Sequence, residues 1–160
     1  MLRTMFLLLL SVVLVLGAPP LATVSNSPGL ALNGTKLAAT GVSSWPLVAG
    51  DSLATTASTA MIMFPDQTRV ALEKNSRLKL EREGDRILVR LLEGALAYKL
   101  TSGSHVQVSA LGRMVTPGPA FQGKVSIVGK EVVEAAVPPD TFSSGYRPAN
   151  ASTPPTSPRK

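Results

Sequence analysis

The chain of 160 residues has no cysteine, one histidine, one tryptophan, two tyrosines and four phenylalanines. Without thiols it can form no disulfide, no cysteine-built zinc site and no lipidated cysteine of the bacterial lipoprotein type. The lone histidine, His105, stands in a strand-like stretch and reads as a strand or surface residue rather than a metal ligand. No serine sits in a Gly-x-Ser-x-Gly elbow that would complete a Ser-His-Asp triad around it. Phosphate-cradling glycine loops of the P-loop and dinucleotide types are missing too, and "TPGPAFQG" is only a loop. With so few aromatic rings, any core must be aliphatic.

What is present begins with "MLRTMFLLLLSVVLVLGAPPLATVS", in which Arg3 is followed by an apolar run from Met5 to about Ala18, broken by Pro19 and Pro20. That is the layout of a secretory signal. Residues 1–25 are expected to be a signal peptide cleaved after Ala22 or near Ser25, or else an uncleaved anchor over residues 5–24, the chain's one route to a membrane. The run falls short of the about 20 apolar residues that span a bilayer comfortably, which favours cleavage. An exported chain without disulfides points to a bacterial envelope protein, periplasmic or secreted.

From Pro138 onward, "PPDTFSSGYRPANASTPPTSPRK" holds six of the thirteen prolines and almost nothing apolar. Such a segment buries too little surface to offset its ordering entropy, so residues 138–160 read as a disordered tail. Residues 26–137 remain, the size of one domain. The formal net charge of +6 is dispersed along the chain. It suits a solvated basic face, with anionic polysaccharide as another target, and not nucleic acid, which an exported chain rarely meets.

Between residues 28 and 137 short runs of Val, Ile, Leu and Thr are separated by Gly, Asn, Asp and Ser. "LALNGTKLA" reads as strand, Asn33-Gly34 turn and strand, although Asn33-Gly34-Thr35 also fits a glycosylation acceptor. "TAMIMF", Pro65 to Thr68 and "RVALE" read as a hairpin, because proline presets the turn and Asp66 can bond its own backbone. In "SRLKLERE" Leu78 and Leu80 alternate with Arg77, Lys79 and Glu81, one face buried and one wet. "RILVRLLEGALAYKL" also fits a helical face, but Gly84 and Gly94 interrupt one, so two strands with a kink or bulge at Gly94 are expected. "HVQVSAL" alternates again, "MVTPGPAF" is a loop, and "KVSIVGKEVVEAAV" is a strand pair about Gly129. The sum is an all-β domain of nine or ten short strands: a β-sandwich, a roll or a short solenoid.

Asp51, Asp66, Glu73, Glu81 and Glu93 could supply a carboxylate pair for glycoside hydrolysis. Both aspartates, however, follow turn residues, Gly50 and Pro65, and turn chemistry accounts for them. Met61 and Met63 flank Ile62 and read as core or edge residues rather than a copper site. Trp45, before Pro46, reads as a lid on the core more than as a sugar platform. No catalytic, metal or cofactor residue is assigned.

The order of "SWPLVAGDSLAT", "TAMIMFPDQTRVALEKNSRLKL" and "RILVRLLEGALAYKL" resembles the FecR-type domain family, envelope-side β domains named after the ferric-citrate regulator. That family's pattern begins with a Gly-Asp turn followed by a hydrophobic-x-Thr, matched by Gly50, Asp51 and Thr55. Its Phe-x-Asp-Gly-Ser is matched by Phe64 and Asp66, with Gln67 and Thr68 in place of Gly and Ser. Leu72, Asn75, Ser76, Leu78 and Leu80 match the Leu-x-x-Asn-Ser-x-Leu-x-Leu run, and Leu92, Gly94 and Tyr98 the later Leu-x-x-Gly and aromatic strand. These are turn and core positions, and they cover about residues 30 to 130. The resemblance implies an exported β domain that contacts another envelope protein, accessory to transmembrane signalling or surface assembly. Regulators of the family carry a cytoplasmic anti-sigma segment, for which the few residues before the apolar run leave no room. A stand-alone, non-enzymatic module is therefore expected, with a cell-wall or polysaccharide binder using Trp45, Tyr98 and the basic face as the alternative.

Overall fold

The alternation read along the core is realised as strands throughout. The computed structural model describes residues 19–142. The apolar run and residues 143–160 of the expected tail lie outside the described residues. In chain order the strands are β1 (Ala22–Ser25), β2 (Leu30–Leu32), β3 (Thr35–Lys36), β4 (Ser44–Leu47), β5 (Ser52–Thr55), β6 (Ala60–Met63) and β7 (Arg69–Leu72). They continue as β8 (Ser76–Glu83), β9 (Arg86–Glu93), β10 (Ala95–Lys99), β11 (Val106–Ala110), β12 (Arg113–Met114), β13 (Gln122–Val128) and β14 (Glu131–Ala135). No helix among the described residues is long and apolar enough to cross a membrane.

Two sheets of 7 strands form, in the orders β14-β13-β10-β7-β6-β1-β4 and β12-β11-β9-β8-β5-β2-β3. Strands therefore outnumber the nine or ten expected. One surplus strand, β12, has two residues, too few to show an alternation. Another, β1, lies inside the span read as leader: it pairs with β4 and β6, Leu21 N–H donates to Leu47 O at 2.7 Å, and Val24 is fully buried. Residues 21–25 thus belong to the fold.

The chain passes back and forth between the sheets as it advances along them, so neighbours in a sheet are often not neighbours in sequence. One consequence is the parallel pairing of β9 with β11, whose crossover connection is β10 in the opposite sheet;. The facing sides bury Leu30, Leu53, Leu78, Leu80 and Val89 from one sheet against Val24, Leu47, Ile62, Leu72 and Leu96 from the other. Each such side chain contributes about 1.5–3 kcal/mol on leaving water. A smaller apolar patch lies on the outer side of the first sheet, where Val137 covers Ala71 and Ala97 beside Met61 and Phe142. Arg69 Nη1 also donates to Phe142 O at 3.2 Å, which ties residues 137–142 to the domain.

Candidate functional site

The motif residues form three hydrogen-bonded corners. At the first, Asp51 is buried, its Oδ1 accepting from Asn33 Nδ2 at 2.7 Å and its Oδ2 from Val48 N–H at 2.8 Å. Asn33 Oδ1 accepts from Ser52 N–H at 2.8 Å, so the Asn33-Gly34 turn is locked onto the Gly50-Asp51 turn. Backbone bonds from Gly50 N–H to Leu80 O and from Leu80 N–H to Asp51 O, both 2.8 Å, fix this turn against β8.

At the second corner Thr55 Oγ1 donates to Glu73 O and accepts from Ser76 N–H at 3.2 Å. Ser76 Oγ accepts from Ala95 N–H at 2.9 Å, and Gly94 O accepts from Ile127 N–H at 2.8 Å. Gly94 is where the chain leaves one sheet for the other. Its φ of +79° is in the left-handed region, and an added Cβ would fall 2.2 Å from Ser76 Oγ and 2.7 Å from Asn75 O. Only glycine meets both demands.

The third corner joins the β6–β7 turn to the loop before β11. Asp66 Oδ1 accepts from Thr68 N–H at 2.9 Å, while Oδ2 accepts from the hydroxyls of Thr68 and Ser104. Thr68, fully buried, also accepts from Thr101 N–H at 3.1 Å, and Thr101 Oγ1 donates to Asp66 O at 2.8 Å. Burial pushes the Asp66 carboxyl up, but the hydrogen bonds from Ser104 and Thr68 outweigh it and hold the pKa below its ordinary value;. All these carboxylate and hydroxyl oxygens serve the backbone or one another.

The remaining candidates are scattered. Leu78, Leu80 and Tyr98 are core residues, as is Phe64. Leu92 is not: it is 42% exposed, because β8 and β9 slip register there, pairing Arg77 with Glu93 and Leu78 with Leu91. Leu92 is the extra residue of a β-bulge, and Leu91 takes the buried place. The irregularity expected at Gly94 thus resolves into a bulge at Leu92 and a sheet crossing at Gly94.

Burial raises the Tyr98 pKa, a hydrogen bond with the Gly118 backbone opposes this, and the Glu134 charge adds to it. Tyr98 packs so closely over Gly123 that a Cβ there would lie 2.4 Å from its hydroxyl, and it is no platform for sugar. Trp45 is half-buried against the core with its Nε1 unpartnered. His105 is exposed, Met61 packs under the C-terminal segment, and among the described residues no cluster of three or more His, Asp or Glu could hold a metal. On the wet face of β8 and β9 the cations are partly neutralised, Glu81 taking Arg90 at 2.7 Å and Lys79 at 3.3 Å. The hydrogen bond from Arg90 lowers the Glu81 pKa.

Four sheet edges are left. β3 and β12 have two residues each. On β4 the Leu47 carbonyl faces β1, so Pro46 turns to the open side and leaves it one donor short;. β14 has five residues and no proline. Since Ile127 N–H bonds Gly94 on the β10 side, Ser126 and Val128 bond β14, through Val133 and Glu131;. The backbone groups of Val132 and Glu134 therefore point to the open side. Of the seven large apolar residues exposed among those described, Val128 and Val133 lie on the β13–β14 hairpin, and Leu111 and Met114 lie at β12, the edge strand of the other sheet.

No family model, curated protein or solved structure matches this chain.

Proposed function

We propose that the chain is an exported, non-enzymatic FecR-type β domain that makes protein–protein contact in the bacterial cell envelope, taking an extended segment of its partner as an added strand on β14. The observation that supports this reading is the open β14 edge, the only one of the four that is both long and unblocked among the described residues. Unpaired strand edges accept a partner through main-chain hydrogen bonds, while neighbouring apolar side chains select it. The exposed Val128 and Val133 of that hairpin fit the second part. The polar clusters are engaged in holding corners, which supports a scaffold rather than a catalyst. The reading calls for no cofactor.

The test is photo-crosslinking from β14 in intact cells, comparing the native chain with Glu134→Pro. Glu134 N–H faces outward, so proline there removes a docking donor and spares the β13 ladder. Loss of the crosslinked partner with an unchanged far-ultraviolet circular dichroism spectrum is expected. Undiminished capture by the folded variant would sink the β14 docking mode.

A further inference from the structure

We infer that the strand taken by β14 is the β14 of a second copy of this chain, paired antiparallel about a two-fold axis through Val132; this rests on the edge-docking reading above. Three features of the strand point to it. Val132 and Glu134, the residues whose backbone groups face outward, set the parity: in a symmetric antiparallel pair two outward-facing residues must stand opposite each other;. Every register centred on a residue satisfies this; those centred on Glu131 or Glu134 set a carboxylate directly against its own copy, which leaves Val132 and Val133;.

Charge complementarity decides between them. A centre at Val132 brings Lys130, the turn residue directly before β14, beside Glu134 of the other copy and, by symmetry, Glu134 beside its Lys130. Val132 then faces Val132 on the inner side, where Val132 already packs against the core. A centre at Val133 sets Glu134 against Val132 and Glu131 against Ala135, which leaves every charge unmatched. Lys130, Glu131 and Glu134 are all exposed, so none has to leave a buried position to pair.

The third feature is the apolar surface. Val128 is 63% and Val133 46% exposed, on a hairpin whose other exposed members are polar or small. In the Val132-centred register the two Val133 side chains become diagonal neighbours on the outer face, close enough to share cover. The two sheets merge into one continuous sheet across the axis, and the open edge disappears from both copies, the remedy closed β assemblies use.

The absence of cysteine from the chain makes the register directly readable. In the full chain in its envelope, Val132→Cys would meet its own copy at a Cα separation of about 5.5 Å, inside the disulfide range. Val133→Cys would lie diagonally, about 7–8 Å away, at or beyond its limit. Mild oxidation is expected to give a disulfide-linked dimer with Val132→Cys and little with Val133→Cys. Adding Lys130→Glu or Glu134→Lys to Val132→Cys reverses a charge in both symmetric pairs and should cut the dimer yield roughly fivefold, and the two reversals together should restore it.

No Val132→Cys dimer, a Val133→Cys dimer in excess of it, or a double reversal that fails to recover would overturn the assignment. The edge-docking reading stands apart from this result. If Val132→Cys stays monomeric while Glu134→Pro still abolishes capture of a different envelope protein, the second copy is the wrong strand and the edge is the right site. If neither effect is seen, both fall.

Discussion

Gly94→Ala is the sharpest perturbation this fold offers. At φ +79° an alanine costs about 1–2 kcal/mol through its left-handed conformation;. The new methyl carbon would stand 2.2 Å from Ser76 Oγ and 2.7 Å from Asn75 O, so Ser76 must turn away and release Ala95 N–H, about 1 kcal/mol more;. Backbone crowding adds roughly 1–3 kcal/mol, because Asn75 O belongs to the tight turn into β8 and cannot rotate aside. The sum, about 3–6 kcal/mol, is a large share of the 5–15 kcal/mol typical of a domain. Gly34→Ala is the matched control: its φ is +81°, yet nothing lies within 4 Å of the added carbon. Urea unfolding followed by circular dichroism should lower the midpoint for Gly94→Ala by about 2 M at a slope of about 2 kcal/mol/M, and by 1 M or less, roughly, for Gly34→Ala. Equal losses in the two variants would refute the crowding argument and leave only the dihedral cost. Adding Ser76→Ala to Gly94→Ala should restore little, since the backbone oxygen stays in place.

Asp66 carries a pH signature. Its folded pKa lies below the ordinary 3.8, so its contribution is fully present above the unfolded value and is lost as pH falls through the folded one;. The stability gap between the native chain and Asp66→Asn should hold near neutrality and shrink in acid below about pH 4, read from urea midpoints across pH; a gap that widens in acid contradicts the sign. Gln67→Gly should raise stability by about 0.5–1 kcal/mol in thermal unfolding, because Gln67 sits at φ +68° in the β6–β7 turn, and a loss would mean that its side chain matters more than its dihedral;. A chain begun at Pro19 should unfold cooperatively, whereas one begun at Asn26 lacks Leu21, Ala22 and Val24 and leaves β4 and β6 without the strand between them; a native-like transition in the shorter chain would show β1 to be dispensable.

How far the fold could be read from the residues depended on how local each signal was. The hairpins β2–β3, β6–β7, β8–β9 and β13–β14 were legible, since each is an alternation interrupted by turn residues that bond their own backbone or adopt positive φ: Asn33-Gly34, Asp66-Gln67, Gly84-Asp85 and Gly129. The parallel β9–β11 pair was not, because β10 in the other sheet separates its members and period-two patterning carries no sheet address;. β1 was hidden by its position just behind an apolar run, where its short Ala-Thr-Val-Ser also reads as the small-residue exit of a signal;. Leu92 was misplaced for a related reason: in "RLLEG" either leucine can be the buried one, and a bulge, invisible to composition, chose Leu91.

The motif matches and the open edge are separate kinds of information, and that separation bears on function. Gly50, Asp51, Thr55, Asp66, Asn75, Ser76 and Gly94 all lie at corners, where Asp51, Thr55, Asp66 and Ser76 spend their side-chain hydrogen bonds on neighbouring turns. They specify how the chain crosses from sheet to sheet, Asn75 through its positive φ and the others through hydrogen bonds or glycine's backbone freedom;. The β14 hairpin lies beyond the last of these corners and matches none of the motif. Its distinguishing features are the outward backbone of Val132 and Glu134, the exposed Val128 and Val133, and the Lys130 and Glu134 charges at either end. The corner residues therefore account for the scaffold, and on the proposed reading contact specificity lies in the terminal hairpin, where exchanging "VGKEVVEA" between two domains of this architecture should carry the pairing preference with it.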